Sequence, residues 1–201
     1  DFIPLGIMIQ QASGFFVAEN SPMKTWADVE AAAHQRTLKV AITGFESPDD
    51  LTVSYFAARG MKLSPVPYAK PSERYTSIIG GHADLLYEQA GDVRSFVDSK
   101  QIRPVIFFYG SKVGAFPDVP NSTALGHNIT LAQFRVVLVK AGTDPAKVKL
   151  LADAIAKAAQ TPDFKAYLKE QYADEASFVP ADQVKPYMEK WLDEARHLMA
   201  A

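Results

Sequence analysis

Short apolar runs alternate along this chain with segments whose apolar residues recur every three or four positions. Leu38, Val40 and Ile42 form a compact apolar run, the pattern of a buried strand. Thr43 and Gly44 end it in a turn. Ser47-Pro48-Asp49-Asp50 then reads as a helix start, with an N-cap serine, proline at the first helical position and two acids at the positive end of the dipole. Strand, tight loop and capped helix make the first half of a βαβ unit. In such sheets ligands sit beyond the carboxyl ends of strands and face helix N-termini. Thr43, Gly44, Phe45, Glu46 and Ser47 are therefore the first candidates for a site.

The same reading predicts strands at 5–10, 15–18, 63–68, 83–87, 105–108 and 134–139. Helices are expected from a Thr25/Asp28 capping box, from Pro48 to about Arg59, over 71–79 and over 93–99, then at 144–160, 162–172 and 181–199. Val148, Leu151, Ala152, Ile155 and Ala159 would line one face of the first of the late helices. Strand–helix alternation between residues 20 and 109 implies a mainly parallel sheet with helices on both faces. Residues 110–128, rich in Pro, Gly and Asn, read as a crossing segment. The expected fold is α/β with two lobes: an inner lobe over 20–109, and an outer lobe built from 1–19 and 110–201 with its C-terminal helices.

Composition narrows the partners. The 201 residues are 48% apolar with a net charge of −2. That supports a sizeable core and gives no electrostatic reason to expect nucleic acid. Cysteine is absent, so thiol chemistry is excluded. The four histidines are scattered without metal-ligand spacing. No P-loop, G-x-S-x-G or GxGxxG is present. Neither a cofactor nor a metal is expected.

Each candidate has a plainer role to set beside ligand contact. Ser47 caps its helix and Gly44 makes the turn. Phe45 stacks on a ligand or plugs the hinge. Asp49 and Asp50 serve the first-turn dipole. Tyr87, Glu88 and Gln89 end a neighbouring strand on the same sheet edge, as Tyr68 ends another. For Glu88 the plain role is a solvated loop charge or a partner for Arg94, and for Tyr68 ordinary packing. Arg135, beside Gln133, pairs with a ligand carboxylate or with a surface acid. At an effective dielectric near 20, a like charge about 5 Å away costs roughly 3 kcal/mol. That exceeds the typical dipole benefit of about 0.3–1 kcal/mol. Glu46, Asp49 and Glu88 thus argue against a dianion held directly on the 43–49 loop.

Several motifs carry a resemblance: Asp1-Phe2-Ile3-Pro4, Ser21-Pro22-Met23-Lys24-Thr25, Pro67-Tyr68, Gly80-Gly81-His82-Ala83-Asp84, Phe116-Pro117-Asp118-Val119-Pro120, Gln133-Phe134-Arg135 and Ala141-Gly142-Thr143. In order and spacing they resemble the tripartite tricarboxylate transporter substrate-binding proteins, the Bug family of periplasmic solute receptors. The resemblance implies a Venus-flytrap fold that closes on a small organic acid and delivers it to a membrane permease, without chemistry of its own. It also implies that the family's N-terminal portion is missing here, so that the outer lobe is incomplete and calls for a partner chain or the missing residues. The family's Gly/Ser-rich loop is replaced by Phe-Glu-Ser-Pro-Asp-Asp-Leu at 45–51. Two alternatives stand beside this reading. One is an effector-binding sensor module. The other is an α/β enzyme using Glu46, Asp49 or Glu88 as acid or base.

Overall fold

The computed structural model describes residues 1–199. Two sheets organise it. The larger comprises β2 (Ser13–Ala18), β3 (Leu38–Ile42), β4 (Leu63–Pro67), β5 (Leu85–Gln89) and β6 (Ile102–Phe108), in the order β4-β3-β5-β2-β6. β3 pairs in parallel with β4 and β5, whereas β2 is antiparallel to β5 and β6. Four strands therefore share one direction and β2 alone runs against them.

Both faces of this sheet are covered. Phe15, Val17, Leu38, Val40, Ile42 and Leu85 pack with Trp26 and Val29 of α1 (Trp26–Gln35) and with Val53 and Phe56 of α2 (Pro48–Ala57). On the other face Phe16, Ala41, Leu86 and Phe107 meet Ile78 of α3 (Pro71–Ile79), while Val93 leads into the short α4 (Arg94–Asp98). Each buried Phe contributes about 1.5–3 kcal/mol. The expected capping box is present: the Thr25 hydroxyl accepts from Asp28 N–H, and the Asp28 carboxylate accepts from Thr25 N–H at 2.9 Å.

β2 corrects the expected division of the chain, which put residues 1–19 in the outer lobe. Ser13-Gly-Phe-Phe-Val-Ala offers no polar face, so it must be covered on both sides. The centre of the larger sheet provides that cover. The fit is tight: a Cβ at Gly14 would lie 2.6 Å from the Ile106 carbonyl oxygen.

The second sheet, in the order β7-β1-β8, joins β1 (Phe2–Gln11), β7 (Gln133–Lys140) and the two-residue β8 (Val179–Pro180), all antiparallel. α5 (Pro145–Ala158) and α7 (Ala181–Met199) pack on β1, and α6 (Pro162–Glu170) lies between them in sequence. This outer lobe has three strands against the five of the inner one. The stripe expected on α5 is partly covered: Val148, Ala152 and Ile155 are half-buried and Ala159, just past the helix end, is buried, but Leu151 is 43% exposed. Leu150, next to it in the helix, and Leu138 of β7 are exposed as well. The chain crosses between lobes twice, through Ala12 and through residues 129–132, since 109–128 pack back on the inner lobe. α7 ties them again, since Leu198 packs against the inner core and the Trp191 indole N–H donates to the Ala132 carbonyl at 2.9 Å.

Candidate functional site

Parallel pairing of β3 with β5 sets Ala41 opposite Leu86, so Thr43 and Tyr87 leave the sheet at the same edge. There a cleft of about 420 Å³ opens between the lobes. Its floor is polar and inner: Ser13, Thr43, Asp49, Arg74, Glu88 and Gln89. Leu131, Phe134 and Trp191 form the facing apolar wall. Phe134 stands edge-on to Tyr187 and Trp191, at 5.3 and 5.9 Å, which fixes the wall.

The 43–49 loop is closed on itself. Asp49, in the first turn of α2, turns back so that its Oδ2 accepts from Thr43 N–H at 2.7 Å and from the Thr43 hydroxyl at 2.6 Å. Ser47 Oγ donates to the Gly44 carbonyl at 2.6 Å and accepts from Asp50 N–H at 3.3 Å. Asp50 in turn accepts from Glu46 N–H at 2.9 Å. These bonds hold Glu46 at φ 62°, a left-handed conformation uncommon outside glycine. Phe45 is left 64% exposed. At this helix start the N–H groups of Glu46 and Asp50 are taken by Asp50 and by the Ser47 cap. Of the loop candidates, Thr43 and Asp49 line the cleft, whereas Gly44, Phe45, Glu46 and Ser47 do not.

On the neighbouring strand the structure unites Tyr87, Glu88 and Gln89 at the cleft floor. β5 starts two residues later than expected, which draws Glu88 and Gln89 out of the supposed loop and into the sheet. The reason is Asp84: it is held by Arg36 at 2.7 Å and accepts from Lys39 N–H at 2.8 Å, which makes it a turn rather than a strand residue. Glu88 is consequently no solvated charge. Arg74, from α3, donates through Nε and Nη2 to Glu88 Oε2 at 3.2 and 2.6 Å, and both side chains are 5% exposed. Burial pushes the Glu88 carboxyl above its ordinary range, against the pull of Arg74. Gln89 Nε2 donates to Ser13 Oγ at 3.0 Å. The Tyr87 hydroxyl is buried with no hydrogen-bond partner, and burial raises its pKa. Tyr68 enters only through its carbonyl, which accepts from Arg74 Nη1 at 3.2 Å, while its ring packs against the core.

Arg94, expected beside Glu88, binds Asp98 at 3.1 Å and the Glu170 carbonyl at 3.0 Å. Arg135 reaches across the lobes to Asp92, at 2.7 and 3.0 Å to its two oxygens.

Arg74 was the main omission of the sequence reading. One signal was available. Arg74 precedes Ile78 by one helical turn, on the face that must meet the sheet. A cation on that face, with Glu88 in an otherwise apolar strand run, marks a buried pair.

Two α/β lobes, joined by crossings and enclosing a cleft lined from both sides, make this a two-lobed binding-protein fold. The family model described as tripartite tricarboxylate transporter family receptor matches residues 1–195, and the chain belongs to that family. A curated relative from Cupriavidus necator, the UPF0065 protein in gbd 5'region, is 28% identical over 159 residues, 76% of this chain. The chain spans about half the length of that relative, 47%. An R. palustris protein solved with adipate superposes with a TM-score of 0.88 at 18% identity, over 98% of this chain and 67% of its own. MatC from Rhodopseudomonas palustris, with bound malate, gives 0.77 at 18% identity, over 96% of this chain and 69% of its own. These solved structures establish the fold.

Proposed function

We propose that the chain is the binding part of an extracytoplasmic receptor that captures a small organic acid and presents it to the membrane permease of a tripartite tricarboxylate-type transporter, in the periplasm. The observation that carries this reading is the cleft, in which an inner polar floor and an outer aromatic wall meet at the carboxyl ends of β3 and β5. Family membership supports it, as do the neighbours solved with adipate and malate. The two lobes are taken as residues 13–128 and, for the outer one, 1–11 with 133–199. The exposed Leu138, Leu150 and Leu151 favour cover by a partner chain or further residues of the same protein.

A receptor reading accounts for the site better than an enzymatic one. Asp49 and Glu88, the candidate acid and base, are held by Thr43 and Arg74 and adjoin no nucleophile–base pair.

Thermal unfolding with a panel of carboxylic acids tests the proposal. A ligand at a hundred times its Kd stabilises the folded state by about 2.7 kcal/mol. For a chain of this size that is a rise of roughly 5–11 °C in Tm. A panel of mono- and dicarboxylates, with and without amino groups, that leaves Tm unmoved at millimolar concentration would overturn it.

A further inference from the structure

We propose, resting on the receptor reading above, that the cleft selects an amino-bearing carboxylic acid, bound as a zwitterion with its ammonium on Asp49 and its carboxylate on Arg74. Four charged side chains line the cleft: Asp49, Arg74, Glu88 and Asp92. Arg74 and Glu88 neutralise each other, and Asp92 is neutralised by Arg135. Asp49 has no cationic partner among the described residues, yet it is only 6% exposed. Its Oδ2 takes both Thr43 hydrogen bonds, and its Oδ1 takes none. A buried carboxylate without a counter-charge is costly. A ligand ammonium supplies the missing charge at the place where a ligand sits.

Arg74 supplies the other end. Three of the five guanidinium N–H groups are engaged, two by Glu88 and one by the Tyr68 carbonyl. One N–H on Nη1 and one on Nη2 are left for a ligand carboxylate, with charge-assisted geometry. A second, independent observation points to a ligand here. Tyr87 is among the residues lining the same cleft, is 2% exposed, and its buried hydroxyl has no hydrogen-bond partner among the described residues. It is suited to donate to a ligand oxygen or to accept from the ammonium. Leu131, Phe134 and Trp191 cover the carbon skeleton from the outer lobe.

Among the described residues the charge balance favours a zwitterion over a plain diacid. A dicarboxylate would bring two negative charges to a floor that already carries the unmatched Asp49, with its one cation shared with Glu88. A zwitterion brings none in net and fills both positions.

Calorimetry on matched probe pairs tests the proposal: L-aspartate against succinate, L-glutamate against glutarate, and 4-aminobutyrate against butyrate. The amino-bearing member of at least one pair should bind 30-fold or more tightly than its partner. Asp49→Asn keeps an acceptor for Thr43 and should reduce that preference below threefold. The double variant Arg74→Gln/Glu88→Gln removes both members of that buried pair together and should lose about 100-fold for both members. If the plain acids bind as tightly as their amino partners, or if Asp49→Asn keeps the preference, this inference falls and the receptor reading stands. If no probe of either kind binds, both fall.

Discussion

Arg74→Met is the most informative single perturbation of the cleft. It leaves Glu88 in place, 4% exposed, with its counter-ion gone. Breaking a buried pair from one side costs about 3–5 kcal/mol, because an uncompensated charge remains. The lost bond from Arg74 Nη1 to the Tyr68 carbonyl adds about 1 kcal/mol. For a chain of this size, 2–4 °C per kcal/mol turns the pair term into a fall of roughly 6–20 °C in Tm at neutral pH. Adding Glu88→Gln should restore most of the loss, to within about 1–2 kcal/mol of the parent, since a buried pair stabilises little relative to its joint removal. Urea unfolding of the four proteins in this cycle gives the coupling directly. Strictly additive single effects, or an Arg74→Met cost below about 1 kcal/mol, would refute the claim that the two side chains form a buried unit.

Other expectations follow from the same geometry. Burial raises the folded-state pKa of Glu88 above its ordinary value. Its contribution to stability is therefore full below the ordinary glutamate value and is lost as pH rises through the raised folded value. The stability of the parent relative to Glu88→Gln should fall with rising pH across that window, and a rising difference would contradict the assignment. The Asp92–Arg135 pair bridges the lobes from partly exposed positions, so Asp92→Asn should cost no more than about 1 kcal/mol in stability. It should still raise the radius of gyration seen by small-angle scattering at low salt, an effect that added salt reproduces in the parent. Phe45→Ala, outside the cleft, should change ligand affinity less than twofold by calorimetry.

Local chemistry made much of the fold legible. Ser47, Pro48 and the Thr25/Asp28 box announce their helix starts, and β3 stands where Leu38, Val40 and Ile42 put it. What stayed hidden depends on long-range pairing. Nothing near Ser13–Ala18 tells that β2 inserts between β5 and β6, because its partners lie about 70 to 95 residues away. Asp84 looked like strand until its bonds to Arg36 and to Lys39 N–H were known. The candidate site was legible as a sheet edge, through Thr43, Tyr87 and Gln89. Its charge balance was not, because Arg74 sits fourteen residues from Glu88 and on another element. Glu46 illustrates the converse. It lies beside the cleft in sequence, but the closed loop turns it to solvent.

The central claim is that a small organic acid binds between the two lobes, on the floor formed by Arg74, Glu88 and Tyr87 and against the wall formed by Phe134 and Trp191. A crystal structure of the protein grown with an acid that raises its Tm tests this most directly. The account predicts ligand density within hydrogen-bond distance of Arg74 and in contact with Trp191. Density for that acid elsewhere on the surface, with the cleft holding only water, would contradict it.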